Sequence, residues 1–338
     1  MKLKIFVFIY SIVTLVGYAQ NLHPYSKNEK WGYINNEGKI AVPLQYEQAY
    51  RFYNGFASVK LNEKYGLIDE TGKVIIPILY DECNGFSEGL ASVKKNDKWG
   101  FIDKSEHVII PFKFDDASNF QEGLAAVEKN DNYGFIDKFG KVVIPLIYDY
   151  ASNFQEGLAS VKKNDKWGYI DKSGKVIIPI IYENIQGFNS DFYKVKLNGK
   201  WSLIDKFGKE ITQKKYDEIG NLNEGFATVD FDGKRGFINQ LGKEVITTKY
   251  DGSGDFFNEY AFVFVNDKSN FIDSLGNEVI PMKYDIISRF SEGFVAVKLN
   301  GKCGYLNTKG EEIISLKYDD AREFSEGLAA VKVNDKWG

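Results

Sequence analysis

A single period of 34 residues runs through this chain and constrains its fold more than any other feature. Trp31, Trp99, Trp167, Trp201 and Trp337 fall on one lattice, and Tyr65, Tyr133, Arg235, Ser269 and Cys303 occupy the points between them. No insertion or deletion interrupts nine periods. The third residue after each lattice point is Ile from Ile34 to Ile272, then Leu306. The twelfth is Pro at Pro43, Pro77, Pro111, Pro145, Pro179 and Pro281. The fifteenth is aromatic from Tyr46 to Tyr318, and an acid follows it in every unit. The twenty-eighth is Val throughout, from Val59 to Val331. Such a period marks a repeat architecture, in which a unit that cannot bury its apolar face alone is completed by its neighbours.

The unit beginning at Trp167 shows the local pattern. Leu158 to Lys163 reads as a strand, Asn164-Asp165 as a two-residue hairpin turn, and Trp167 to Asp171 as a second strand. Lys172-Ser173-Gly174 reads as a turn with Gly at positive φ. Lys175 to Ile178 reads as a third strand, ended by Pro179 because Pro cannot donate to a ladder. The remainder, through Tyr182 and Phe188, reads as a long aromatic connection. Tyr169 and Ile170 point to opposite faces, and Val176-Ile177-Ile178 is apolar without a break. Strands of this kind need cover on both sides, which stacked units supply.

The stretch KWGYIDKSGKVIIPIIYENIQGF resembles the WG repeat, a bacterial β-rich repeat family of exported and surface-associated proteins. The resemblance runs from Trp31 to the C-terminus. It implies a binding or structural role and supplies no catalytic residues. Ser202, Glu106, Gln213, Thr247, Ser315, Asp191 and Glu259 depart from the pattern. The fold class expected is all-β: nine three-stranded units in an open superhelical solenoid, with a closed propeller-like ring as the alternative. Propeller blades take four strands and about 40–45 residues, and rings close with about four to eight blades, which favours the open stack.

The N-terminus reads differently. Lys2 and Lys4 precede an apolar run from Ile5 to Val16, and Gly17-Tyr18-Ala19 places small residues at a cleavage site. This is the pattern of a secretory signal peptide cut after Ala19. The run is shorter than the roughly 20 residues needed to span a bilayer. The expected organisation is therefore a signal peptide at 1–19, an N-terminal edge strand or cap at 20–30, and the repeat array at 31–338. The chain stops at Lys336-Trp337-Gly338, one turn into a tenth unit, so a continuation past Gly338 is expected. The mature chain is expected to be exported and monomeric, with no transmembrane segment.

Candidate chemistry is sparse. A formal charge of −4 argues against nucleic acid as a partner, because phosphate binding needs a basic surface. Cys83 and Cys303 are too few and too distant for a disulfide framework or zinc site and read as small apolar positions. The recurring acid after Tyr could form a calcium ladder but reads better as a turn cap. The Trp column could be a sugar platform, though its exchange for Tyr, Arg, Ser and Cys suits a packed or surface strand position equally. His23 and His107 have no repeated Ser or Cys partner. Neither a cofactor nor a metal is expected. Lys215, Lys249, Lys283 and Lys317 precede the aromatic residue in the later units and form a candidate basic stripe for an anionic partner. The functional reading is an exported, non-catalytic scaffold that binds a protein or an envelope glycan. Its alternative is the accessory part of an exported enzyme whose catalytic domain lies elsewhere.

Overall fold

The computed structural model describes residues 22–338 other than 258, 267 and 282; the signal-peptide reading of residues 1–19 lies outside them. Every regular element in the described residues is a β-strand. No helix among them is long and apolar enough to cross a membrane. The chain divides into two compact units, one up to residue 161 together with 171–175, the other 162–170 together with 176–338.

In the first unit a three-stranded sheet (23–46) is followed by four-stranded sheets at 48–80, 82–114 and 116–148. The second holds sheets at 184–205, 218–250, 252–272, 286–318 and 320–337, of three, four, three, four and three strands. Residues 150–182 form a further four-stranded sheet, within which the division falls.

The sheet at 116–148 illustrates the unit. Its strands are Asp116–Ala117, Ala125–Lys129, Asn132–Ile136 and Val142–Tyr148, each antiparallel to the next. Glu122-Gly123 and Asn130-Asp131 make the first two turns with both residues at positive φ, the geometry whose twist matches an antiparallel hairpin. Asp137 makes the third turn: its Oδ1 accepts the backbone N–H groups of Phe139 and Lys141 at 3.0 and 2.9 Å, and Gly140 follows at φ 79°. Glu106 replaces this glycine one unit earlier and is held at φ 67°.

Two expectations are corrected. The aromatic connection is not strand-free, because it contains the short first strand of the next sheet. The strand with Pro does not end there either: Val108–Phe114 and Val142–Tyr148 run straight through Pro111 and Pro145. Pro is tolerated because this is an edge strand and because a bulge falls at it. Trp99 pairs with Phe114 and Phe101 with Ile110, so one residue of the third strand faces three of the fourth.

The bulge explains the glycine of each Trp-Gly step. A Cβ at Gly66, Gly100 or Gly134 would lie 2.5–2.7 Å from the carbonyl oxygen of Ile76, Ile110 or Ile144. Ser202 and Asn270 occupy the same position in the sheets at 184–205 and 252–272, which lack a fourth strand. There the isolated bridges Trp201–Tyr216, Ile204–Glu210 and Ile272–Glu278 remain. Asn270 Oδ1 accepts the N–H groups of Phe271 and Ile280 at 2.7 and 3.2 Å, replacing ladder bonds with side-chain bonds.

The core lies between sheets. Phe101 and Ile110 of one sheet pack with Ala125, Val127 and Ile136 of the next. In the second unit Leu203 packs with Val229 and Ile238, and Phe237 and Ile246 with Val263 and Ile272. Ring pairs reinforce these contacts: Tyr33–Phe52, Phe101–Phe120 and Phe135–Phe154 in the first unit have centroids 4.7–4.9 Å apart. Phe237–Phe256 and Phe271–Phe290 repeat the spacing in the second, at 4.9 and 4.8 Å.

Candidate binding groove

The acids after the aromatic column join consecutive sheets. Asp115 is the single residue between the strands ending at Phe114 and beginning at Asp116. One of its oxygens pairs with Lys98 of the preceding sheet, and the other accepts the N–H of Asn130 in the following hairpin turn at 2.8 Å. Asp217, Asp251 and Asp319 repeat the arrangement with Lys200 and Asp232, Lys234 and Asn266, and Lys302 and Asn334. The Lys98 ammonium, and then the Asn130 N–H, hold the Asp115 carboxyl below its ordinary range. These carboxylates act as turn caps. Among the described residues no three His, Cys, Asp or Glu side chains gather as a metal-ligand set.

The other singled-out residues are spread over the sheets. Lys215, Lys249, Lys283 and Lys317 are all exposed. Lys215 pairs with Glu210 at 2.9 Å, while the Nζ atoms of Lys249, Lys283 and Lys317 lie 5.1–5.2 Å from the ring centroids of Tyr250, Tyr284 and Tyr318. Trp99 is buried, Trp31, Trp167 and Trp201 are half-buried, and Trp337 is exposed, so the column offers no continuous aromatic platform. His107 Nδ1 lies 3.1 Å from Asp103 Oδ2, and His23 bonds Asn36 at 3.0 Å, both at the surface. Cys83 and Cys303 are free and buried, as their apolar reading requires. Burial pushes the Cys83 thiol up to about 12, so it stays protonated at neutral pH.

A concavity of the first unit lies elsewhere. A groove of about 780 Å³ runs along the short first strands of successive sheets and the residues that follow them. Tyr50, Arg51 and Tyr53 come from one sheet, Glu82, Asn84 and Ser87 from the next, and Asn119, Gln121 and Asn153 from the two after. Tyr50 and Tyr53 have no aromatic counterpart in the three sheets that follow, whereas Asn119 recurs as Asn153, and the supporting Phe86, Phe120 and Phe154 recur on the lattice and are buried.

The groove's geometry is partly fixed. Asn84 Nδ2 donates to Ser92 Oγ at 2.9 Å, and Ser92 Oγ donates to Asn119 Oδ1 at 2.8 Å. Ser87 Oγ donates to the Phe120 carbonyl at 2.5 Å, tying adjacent sheets. Tyr50 and Tyr65 both donate to Gln48 Oε1, at 3.2 and 3.1 Å. Burial, and then the Tyr50 hydroxyl, push the Tyr65 phenol up. Tyr53 is 76% exposed and Tyr50 51%. Arg51 is exposed and makes no ion pair or side-chain hydrogen bond among the described residues. The sequence carried a signal for this site: positions 50 and 53 are Tyr in no other repeat, although the Phe between them recurs in most.

Sheets of one design, stacked through shared cores and stapled by carboxylates, define a tandem β-repeat protein. Residues 31–65, 65–99, 99–133, 133–167, 167–201, 201–234, 236–268, 271–303 and 304–337 each match the family described as WG containing repeat. The chain belongs to the WG-repeat family. No curated protein sequence matches it. Among solved structures it is similar to a eukaryotic initiation factor at 12% identity and a TM-score of 0.42, over 87% of this chain and 95% of that one. It is similar to Kluyveromyces lactis Hsv2 at 9% identity and a TM-score of 0.33, over 74% and 89%. PorZ, titled an essential bacterial surface component of the type-IX secretion system of Porphyromonas gingivalis, is similar at 10% identity and a TM-score of 0.30, over 92% and 56%. At these scores the likenesses carry neither the arrangement of the sheets nor a function.

Proposed function

We propose that this chain is an exported, non-catalytic binding scaffold whose ligand is a glycan of the cell envelope, held in the groove of the first unit. The observation that carries this reading is the break in the repeat where the groove forms. A frame of recurring phenylalanines presents Tyr50 and Tyr53, which no other repeat carries at those positions, beside Arg51, Asn84 and the recurring Asn119 and Asn153. Few precisely placed polar groups beside aromatic faces are what a small-ligand site needs. Tyrosine rings cover the flat C–H faces of a sugar, while amides and a guanidinium bond its hydroxyl or carboxylate groups. The export part of the reading rests on Lys2, Lys4 and the apolar run to Val16.

The test is binding of the signal-free chain to fractionated envelope glycans. Tyr53→Ala and Arg51→Ala should each weaken binding by about tenfold with an unchanged melting temperature. Unaltered binding in both variants would reject the groove. A second reading, a protein partner, is favoured by a different observation. Val74, Leu79, Val108, Val142 and Ile147 lie exposed on the fourth strands of the first unit. A pull-down from envelope extract that survives Tyr53→Ala but fails with Leu79→Lys would favour that partner.

A further inference from the structure

One lattice column carries a lysine whose ammonium is held by the same chain. Lys104 Nζ lies 5.4 and 5.8 Å from the ring centroids of Phe56 and Phe86. The next two lysines of the column turn to glutamates: Lys138 lies 3.1 Å from Glu88 Oε2 and Lys172 3.0 Å from Glu122 Oε2. The notch between the turn glutamate and the two phenylalanine positions therefore suits an ammonium, which is drawn to ring faces and to carboxylates.

Five periods later the phenylalanine pair recurs as Phe226 and Phe256, with centroids 4.5 Å apart. The position of Lys104 is there Ser274. A cavity of about 700 Å³ opens at this point, and Phe226, Phe256, Tyr260, Glu259, Asp273 and Ser274 line it. Glu259 departs from both neighbouring repeats. It replaces the glycine found at Gly225 and Gly293, is held at φ 71°, and donates its N–H to Glu224 at 3.0 Å. Neither Glu259 nor Asp273 makes an ion pair among the described residues. The lysine column ends at Lys206, and at Ser274 the chain has gained a carboxylate as well, beside an aromatic pair whose counterpart holds an ammonium.

We propose that this cavity binds an alkylammonium group, the ε-amino group of a lysine side chain or the amine end of a polyamine, in the place of the missing lysine. The ring faces receive the cation and its methylene stem, and Glu259 and Asp273 supply the charge. The site is separate from the groove of the first unit and does not rest on glycan binding.

The experiment is calorimetric titration of the signal-free chain with cadaverine and with Nα-acetyl-lysine methylamide, at low and at high salt. Saturable binding of at least one probe is expected, weakening as salt rises. Tighter binding of the lysine derivative assigns the site to a presented side chain; tighter binding of cadaverine assigns it to a free polyamine. Ser274→Lys should fill the cavity from within, weaken either probe by at least tenfold, and leave the melting temperature unlowered. If that variant does not fold, Glu259→Gly restores the residue of neighbouring units and should weaken binding at least fivefold. No saturable heat with either probe, or native affinity in the folded variant, overturns the proposal.

Discussion

A methyl group added at Gly100 would sit 2.7 Å from the Ile110 carbonyl oxygen, closer than any relaxed contact. That distance separates the two residues of the Trp-Gly step. Tryptophan gives way to Tyr65, Tyr133 and Arg235 because the side chain lies along a sheet face that accepts many shapes. Glycine gives way only where the fourth strand is lost, at Ser202 and Asn270. Gly100→Ala should therefore destabilise the chain by about 1–3 kcal/mol, the range for forcing atoms into a filled space. Urea unfolding measures this, and faster amide exchange at residues 108–114 should accompany it. An unchanged midpoint would show that the bulge is free to move aside. Asn270 pays for its place in another way, since its Nδ2 is buried without a hydrogen-bond partner among the described residues.

At the scale of strands and turns, the carboxylate staple sets a pH dependence. Lys98 and the Asn130 N–H depress the folded pKa of Asp115, and their counterparts do the same for Asp217, Asp251 and Asp319. A depressed folded pKa means a contribution that is fully present above the unfolded value, about 3.9, and is lost as pH falls through the folded value. Asp115→Asn should lower the urea midpoint at pH 7, and the difference from the native chain should shrink towards zero near pH 2. A difference that stays constant over this interval would remove the charge from the account. These groups are exposed, so added salt should reduce the effect. Much of this element was legible in advance. Asn164-Asp165 announced its turn, since few other residue pairs accept positive φ twice, and the acid column read correctly as a cap. The strand Asp116–Ala117 was hidden because two residues cannot display a period of two. The passage of a strand through Pro111 was hidden because the bulge that permits it depends on Gly100, eleven positions earlier in a different strand. The groove was hidden because its residues lie about 34 positions apart along the chain and come together only where the first strands of consecutive sheets meet.

Across the molecule, the core clusters fall between sheets, so no sheet owns the apolar surface that stabilises it. A peptide of residues 116–149 should show no cooperative thermal transition by circular dichroism, whereas the full chain should. A folded peptide would place the stability inside the sheet. The fourth strands, which end their sheets, also carry protection against pairing with strands of other chains. Pro77, Pro111 and Pro145 lie within them in the first unit, and Lys249 with Glu244 and Lys317 with Glu312 charge them in the second. The single residue between Phe114 and Asp116 has a wider consequence. It leaves no slack in which an added or missing amino acid could hide, because Asp115 must reach a lysine behind it and a turn ahead. A change in length by whole periods keeps this junction in register, because a copy of 34 consecutive residues carries one such acid with it. The chain can grow or shrink as text does by whole lines, with the phase of the cut left free.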